Sequence, residues 1–276
     1  MGVIHRLAGK VAVVTGSTKG IGSAVASIFA AEGARVVVSG RDQPAGEKVV
    51  GEIRKKGGEA LFQRADVSVE SDVKQLIDSA DQKWGRLDIL INNAAPSDFI
   101  AAGGEESVEN IPTENWEYML RACLSGPFWG CKYAIPLMRR NGGGSIVNVS
   151  SMSSKVGLTR LAGYSSAKGA LNALTRQVAV EFGKDGVRAN AIIIGFIPSG
   201  NNASQQVMDD PVSGPIVRSL SLTRLGRPED VAYTALFLST QEAEFITGAE
   251  IPVDGGVLIR PAAPELRASH PGTAPQ

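Results

Sequence analysis

The chain has 276 residues, of which 43% are hydrophobic, enough for one large α/β domain with a sizeable buried core. Lysine and arginine together number 28, as do aspartate and glutamate, so no excess positive charge is available to bind nucleic acid or an anionic membrane. Its apolar runs fall short of the roughly 20 residues of a membrane-spanning helix, and residues 1–10 lack the apolar stretch of a secretory signal. The sequence therefore predicts a cytoplasmic protein with neither a nucleic-acid nor a membrane partner.

The cysteines and histidines limit the chemistry available to this chain. Cys123 and Cys131 lie in one predicted helix, where a rise of about 1.5 Å per residue places them roughly 12 Å apart, too far for a disulfide. His5 and His270 lie near the two ends of the chain, far from any motif. The sequence therefore predicts no zinc site and no Ser-His-Asp triad, and it favours chemistry without a metal.

Strand and helix patterns alternate along the chain. Residues 11–15 form a β-branched run that ends at a glycine turn, and the apolar periodicity of 21–32 predicts a helix that stops at Gly33. Further strands are predicted at 35–39, 60–64, 89–92, 145–149 and 188–194, and further helices at 47–56, 71–84, 116–140 and 164–182. This alternation predicts an α/β fold: a single doubly wound Rossmann-type domain whose parallel sheet has helices on both faces.

Three segments interrupt the alternation. Residues 96–115 are polar and rich in glycine and glutamate, and we expect a surface excursion there. Residues 200–224 follow the last predicted strand and are rich in Asn, Ser and Pro, as expected for a mobile substrate lid. Residues 257–276 are proline-rich and aperiodic, which predicts disorder or an arm that reaches a neighbouring subunit. The domain is accordingly predicted to span residues 1–256, followed by this C-terminal tail.

Glycines at positions 16, 20 and 22 form a G-x-x-x-G-x-G pattern between the first strand and the first helix. Glycine lets the backbone approach a pyrophosphate closely, and the N-terminus of the following helix faces its negative charge. A merely tight turn is the alternative; a nucleotide triphosphate loop is excluded because no Gly-Lys-Ser/Thr follows at the required spacing. The residues predicted to contact a dinucleotide here are Gly16, Ser17, Thr18, Lys19, Gly20, Ile21 and Gly22.

The end of the second predicted strand indicates which coenzyme binds. A carboxylate at this place would favour NAD(H), but the residue there is Gly40. Arg41 follows it and Lys19 lies in the glycine turn, so two cations are available to bind a 2′-phosphate. NADP(H) is the preferred prediction, and NAD(H) stays open because a one-residue shift would bring Asp42 near the ribose.

Tyr164 and Lys168 are separated by one helical turn and project from the same helix face, and Ser151 precedes them near the end of a predicted strand. Reducing a carbonyl with hydride produces an alkoxide, which needs a proton as its charge develops. Tyr164 would donate this proton in reduction and accept it in oxidation. The Lys168 ammonium and the oxidised nicotinamide would both lower the phenol pKa from its usual value of about 10, and Ser151 would hydrogen-bond the substrate oxygen.

Residues 10–256 resemble the short-chain dehydrogenase/reductase family. The resemblance rests on these motifs, in the family's order: Thr15 to Gly22, Asp66-Val67, Asn92-Asn-Ala-Ala95, Ser151, Tyr164 with Lys168, and Pro252-Val-Asp-Gly-Gly256. The resemblance implies that Asp66 and Val67 hold an adenine ring and that Ile197 and Ser199 contact a nicotinamide carboxamide. The residues implied beside the coenzyme at the fourth strand are Asn93, Ala94 and Ala95. A homotetramer is implied, with a dimer as the alternative and a second interface near Phe245.

The family has an asparagine in the long helix where this chain has Cys123. In the family this position kinks the helix, and its backbone carbonyl holds a water in a proton relay from the lysine. Pro127 lies four residues later and has no N–H, so we expect the Cys123 carbonyl to be free and the water site to survive. Cys123 is therefore a fourth candidate catalytic residue; the alternative is a packing residue with a weaker relay.

These motifs together predict an NADP(H)-dependent oxidoreductase acting on a small-molecule ketone or secondary alcohol. The residues expected to line an apolar substrate pocket are Phe99, Leu158, Leu161, Phe196 and Met208. A 3-oxoacyl thioester is an alternative substrate of the same kind of enzyme. A dinucleotide-binding sensor or assembly subunit with weakened catalysis is the alternative of a different class. Cys123 and Ala95, which replaces a family glycine, favour that reading, whereas the intact Ser/Tyr/Lys set opposes it.

Overall fold

The computed structural model describes residues 5–198 and 207–259 and contains a parallel sheet with the strand order β3-β2-β1-β4-β5-β6-β7. The strands are β1 (Val11–Val14), β2 (Arg35–Gly40), β3 (Glu59–Arg64), β4 (Ile89–Asn92), β5 (Gly144–Ser151), β6 (Val187–Ile194) and β7 (Glu250–Val253). β1 pairs with β2 on one side and with β4 on the other, so the strand order reverses there. Ligands of open α/β sheets bind outside the carboxyl ends of the strands at such a switch point.

Helices cover both faces of this sheet. They are α1 (Gly20–Ala31), α2 (Gln43–Lys55), α3 (Glu70–Trp84), α4 (Ser97–Phe99), α5 (Thr113–Leu120), α6 (Gly126–Arg140), α7 (Ala162–Phe182), α8 (Ser213–Leu220) and α9 (Pro228–Ser239). Alternate residues of β1 enter opposite cores: Ala12 and Val14 pack with α1, α2 and α9, and Val11 and Val13 pack with α3, α6 and α7. The predicted doubly wound Rossmann-type fold is thereby confirmed.

The long helix predicted at 116–140 is interrupted in the structure. α5 and α6 are separated by a π-helical segment, Arg121–Ser125. Pro127 lies in the first turn of α6 and has no N–H, so the α-type hydrogen bond to the carbonyl four residues earlier does not form. Cys123 therefore lies at a break in helical regularity, as its predicted role requires.

The interpretation of residues 96–115 as a surface excursion is wrong in part. This stretch contains α4 and a second π-helical segment, Ile100–Gly104, and Phe99 and Ile100 pack against a small core. The buried members of that core are Met119, Ala122, Cys123 and Ala167. Glu105 follows and is only 4% exposed. Polar composition predicted exposure here, but the loop packs against α5 and α7.

The sequence patterns did not predict α8, α9 or β7. β7 has only four residues, including Pro252, which cannot donate a ladder hydrogen bond. Of the predicted lid at 200–224, residues 200–206 lie outside the described residues, as do residues 260–276 of the predicted tail. Within the part of the chain that the structure describes, no helix has both the length and the apolar character needed to span a bilayer.

Candidate active site

A cleft opens at the carboxyl ends of β1 and β4, at the reversal of strand order. The predicted site residues that line it are Gly16, Thr18, Lys19, Gly20, Ile21, Arg41, Asp66, Val67, Asn93, Ala94, Ala95, Tyr164, Lys168 and Ile197. Ser17, Gly22, Cys123 and Ser151 are buried beside this lining, and Ser199 lies outside the described residues. The topology thus brings residues from six separate segments of the chain, between positions 16 and 197, to one edge of the sheet.

The glycine turn packs tightly against the residues that follow β4. Gly16 has a φ of +62°, and a Cβ there would lie 2.8 Å from the Cα of Ala94. A Cβ on Gly22 would lie 2.3 Å from the carbonyl oxygen of Gly16. The Asn93 side-chain amide donates to the Thr15 and Gly16 carbonyls, at 2.9 and 3.1 Å. Glycine is therefore required by the packing of the turn itself, in addition to any ligand.

The N-terminus of α1 lies at the cleft, where Gly20 and Ile21 are among the lining residues. The N-cap is Lys19, whose side chain makes no capping hydrogen bond. A helix terminus of this kind attracts phosphate, because its N–H groups lack partners and the helix dipole favours negative charge. The glycine cradle and this terminus together fit the pyrophosphate of a dinucleotide.

Ser17 is buried between two residues that line the cleft, and it hydrogen-bonds within the protein. Its hydroxyl donates to the Val14 carbonyl at 2.7 Å and accepts from the Ser39 N–H at 2.8 Å, and its own N–H donates to the Ser39 carbonyl at 2.8 Å. These bonds connect the ends of β1 and β2. The predicted contact between Ser17 and a coenzyme stays a prediction.

The two predicted phosphate-binding cations both face the cleft, and each has a partner. The Lys19 ammonium lies 2.8 Å from the Asp98 carboxylate, in an exposed ion pair across the entrance. The Arg41 guanidinium donates to the Tyr118 hydroxyl at 3.4 Å. Asp42, the alternative ribose ligand, accepts the N–H of Ala45 and caps α2. The ion pair with Asp98 therefore competes with a 2′-phosphate for Lys19. The Asp42 carboxylate, the alternative ligand of the ribose, already caps α2.

Ser151, Tyr164 and Lys168 come together beside the cleft. Ser151 ends β5, and its hydroxyl lies close enough to the partly buried Tyr164 to influence the phenol. Lys168 is buried, and its ammonium donates to the Val149 carbonyl at 2.7 Å and lies 5.5 Å from the centroid of the Tyr164 ring. A strand end and one helix face thus hold two hydroxyls and an ammonium in a single cluster.

The electrostatics of this cluster differ from the sequence expectation. Burial raises the pKa of the Tyr164 phenol, the nearby Cys123 raises it further, and the Ser151 hydrogen bond opposes them. Burial also lowers the pKa of the Lys168 ammonium, against the influence of Cys123. Burial therefore sets the direction of the Tyr164 pKa in this structure, and the lowering expected from Lys168 together with an oxidised nicotinamide stays a prediction.

The Cys123 side chain is fully buried in the core with Met119 and Ala167. Burial raises the pKa of its thiol. The thiol does not line the cleft, so a catalytic contribution from this position would come from its backbone carbonyl in the π-helical segment. The packing role and the carbonyl role are compatible at this position.

Glu105 is a site residue that the sequence interpretation missed. One carboxylate oxygen accepts the N–H of Tyr164 at 2.6 Å, and the other accepts the N–H of Gly163 at 3.0 Å. Burial raises the pKa of this carboxyl, and these two backbone donors oppose the effect. The sequence does carry a signal: α7 begins after Leu161, which has no side-chain oxygen to cap the helix, so a cap from elsewhere is expected.

The residues predicted to line an apolar substrate pocket do not line this cleft. Phe99 packs edge-on against Tyr118, with ring centroids 4.9 Å apart. Phe196 lines a separate neighbouring cavity with Ile197 and Arg224. The lining of the cleft therefore does not include the apolar residues predicted for a substrate pocket.

Comparisons with known proteins agree with this geometry. Residues 16–258 match the family described as Enoyl-(Acyl carrier protein) reductase. The 2,5-dichloro-2,5-cyclohexadiene-1,4-diol dehydrogenase LinX of Sphingobium indicum is 38% identical over 256 residues, which cover 91% of this chain and 97% of that protein. Cyclohexanol dehydrogenase of an Acinetobacter species is 33% identical over 246 residues, which cover 89% of this chain and 94% of that protein.

The chain is also similar in fold to a solved dehydrogenase structure. A 7α-hydroxysteroid dehydrogenase complexed with NADH and 7-oxo glycochenodeoxycholic acid superposes with a TM-score of 0.84 and 33% sequence identity, covering 93% of this chain and 98% of that chain. The likeness extends over nearly the full length of each of these proteins. The chain therefore belongs to the short-chain dehydrogenase/reductase family and is an NAD(P)-dependent oxidoreductase of that family.

Proposed function

We propose that the protein interconverts a ketone and a secondary alcohol with NADP(H), using Tyr164 as general acid and base. The observation that carries the proposal is the cluster beside the cleft, where Ser151 lies next to Tyr164 and the Lys168 ammonium lies 5.5 Å from the centroid of the phenol ring. When bound, the nicotinamide coenzyme supplies the hydride in reduction and accepts it in oxidation. The chain itself must then hold the substrate oxygen and exchange one proton with it.

Each of the three side chains has a defined task. The Ser151 and Tyr164 hydroxyls hydrogen-bond the substrate oxygen and orient its carbon toward the cleft. Because burial raises the pKa of Tyr164, the phenol keeps its proton until negative charge develops on that oxygen. Lys168, anchored on the Val149 carbonyl, stabilises the phenolate that proton donation leaves. The Cys123 carbonyl is the proposed site for a water that returns a proton to this pair.

The proposed substrate carries its carbonyl or hydroxyl on a ring. The names of two relatives, a cyclohexadienediol dehydrogenase and a cyclohexanol dehydrogenase, support this class, as does the bound 7-oxo bile acid in the similar structure. The test follows NADPH absorbance with cyclohexanone, a 7-oxo bile acid and a 3-oxoacyl thioester, with NADH in parallel. Coenzyme binding without oxidation by any carbonyl would favour the sensor function, and preference for the thioester would replace the ring substrate.

Arg41→Ala is expected to weaken NADPH binding by about 10- to 100-fold and NADH binding by less than about threefold, because a charge-assisted bond to the 2′-phosphate is lost. The measurement is a fluorescence titration with each coenzyme. The matched control is Arg35→Ala, which removes a guanidinium from the other end of β2, where it pairs with Glu59. Equal losses for the two coenzymes would refute a phosphate-binding role for Arg41.

Asp98→Asn is expected to strengthen NADPH binding by about two- to fivefold, because the Lys19 ammonium no longer has to leave an exposed ion pair to reach the phosphate. NADH binding should stay unchanged. In the double variant with Lys19→Ala the gain should disappear, since the side chain that Asp98 holds is then absent. A gain that persists in the double variant would show that Asp98 repels the coenzyme directly.

A homotetramer in the cytoplasm is also proposed, with a dimer as the alternative. The fully exposed Phe245 and the exposed Val180 on α7 support an interface, since large apolar side chains in solvent favour association. Sedimentation of the purified protein measures the oligomeric state. The lid at 200–224, the domain boundary at 256 and the roles of Ser199 and the tail remain predictions.

A further inference from the structure

The first turn of α7, which carries Tyr164, is capped by a residue from a distant loop. The N-cap position, Leu161, contributes no side-chain hydrogen bond. Instead the two oxygens of the Glu105 carboxylate accept one N–H each, from Gly163 at 3.0 Å and from Tyr164 at 2.6 Å. The residue proposed to exchange the proton is therefore fixed through its own backbone N–H.

The surroundings of Glu105 make this contact strong. The side chain is buried, and in residues 5–198 and 207–259 no lysine or arginine forms an ion pair with it. The N-terminus of α7 is therefore the main group that stabilises its negative charge, through two charge-assisted hydrogen bonds and the helix dipole. Removing that charge would leave two buried backbone donors with poorer partners, and the start of α7 would move to find others.

A close approach between the loop and the helix requires small residues on the helix. A Cβ on Gly163 would lie 3.0 Å from a Glu105 oxygen and 3.0 Å from the Cβ of Met119 on α5. Met119 belongs to the same small core as Cys123, so the capped turn is packed against the π-helical segment as well. The position of Tyr164 is thereby determined from two sides.

Glu106, the next residue of the loop, also contacts the turn before α7 and can be compared with Glu105. Glu106 forms an ion pair with Arg160, which has a φ of +59° in the turn that leads into α7. Both side chains of this pair reach solvent. Adjacent glutamates therefore hold the same turn, but only Glu105 is buried and bonded to the backbone of Tyr164.

We propose that Glu105 is a positioning residue, whose ionised carboxylate fixes the first turn of α7 so that the Tyr164 hydroxyl stays within hydrogen-bond distance of Ser151 and of the substrate oxygen. This inference rests on the proposed function of Tyr164. It predicts a loss of turnover rather than of coenzyme binding, because the glycine turn, Arg41 and Asp66 lie on other elements.

Glu105→Gln is expected to lower kcat about 10- to 100-fold, since displacements of about 1 Å at a reacting group have effects of this size. The KM for substrate and the affinity for NADPH should stay within about twofold of the parent. Hydrogen exchange of the backbone amides in residues 161–166 should accelerate, measured by mass spectrometry on the protein without coenzyme. Glu106→Gln, the matched control, should retain parental kcat and parental exchange in the same peptide.

Glu105→Asp keeps the charge on a shorter side chain, and its kcat should lie between those of the parent and Glu105→Gln. If Glu105→Gln does not fold, Glu105→Asp tests the inference instead. A kcat at least fivefold below that of the parent, with parental NADPH affinity, supports the inference, and a parental kcat overturns it. A Glu105→Gln kcat within twofold of the parent, or an equal loss in Glu106→Gln, also overturns it. If the parent protein reduces none of the carbonyls, the proposed function and this inference are both overturned. If the parent is active and Glu105→Gln has the same kcat, only the inference is overturned.

Discussion

Tyr164→Phe is expected to lower kcat by about 10²- to 10⁴-fold, the range that a positioned general acid or base contributes. The change removes one hydroxyl and keeps the ring, so the packing against Cys123 and Met119 is preserved. Ser151 then loses the neighbouring phenol hydroxyl, and Lys168 has no phenolate to stabilise. Steady-state assays with the best carbonyl substrate measure the loss, and NADPH titration should give an affinity within about twofold of the parent.

Tyr118→Phe is the matched control for this prediction. Tyr118 lines the same cleft, and its hydroxyl accepts a bond from Arg41 at 3.4 Å rather than facing Ser151. Its loss should leave kcat near the parental value. Residual activity of Tyr164→Phe above about a tenth of the parent would lie outside the general acid/base range and would remove Tyr164 from the proposed role.

The sequence predicted those parts of the site that are local in the chain. The glycine turn is recognisable because a strand, three glycines and a helix follow one another within a few residues. Tyr164 and Lys168 are recognisable because helical geometry alone places positions four apart on one face. The alternation of strands and helices likewise predicted a parallel sheet with helices on both faces.

The parts that the sequence did not predict depend on contacts between distant segments. Glu105 contacts Gly163 and Tyr164, which lie 58 and 59 positions further along the chain. The polar composition of the loop does not indicate that one of its carboxylates is buried. Lys19 was predicted as one of two cations that bind a 2′-phosphate, and its ion-pair partner Asp98, 79 positions away, was not foreseen. The pKa of Tyr164 was predicted from Lys168 and an oxidised nicotinamide, and the packed structure adds burial, which raises that pKa.

Gly22→Ala is expected to lower the thermal midpoint by about 2–12 °C, which corresponds to an overpacking cost of about 1–3 kcal/mol in a domain of this size. The added Cβ would lie 2.3 Å from the Gly16 carbonyl oxygen and 2.6 Å from the Asn93 side-chain nitrogen. The first contact involves backbone, so relief requires the glycine turn to move away from α1. The same movement displaces the N–H groups that face the cleft, and NADPH affinity should fall about tenfold or more.

Gly51→Ala separates this steric effect from the general effect of replacing a glycine in a helix. Gly51 lies within α2, and a Cβ there would have no neighbour within 4 Å. Alanine should raise stability at this position by about 0.5–1 kcal/mol, because it loses less conformational entropy than glycine on folding. The two variants thus have opposite expected signs for the same chemical change, measured by thermal unfolding at one fixed protein concentration. If Gly22→Ala has the stability and NADPH affinity of the parent, the turn has room for a methyl group. The close packing of the glycine turn described above would then be contradicted.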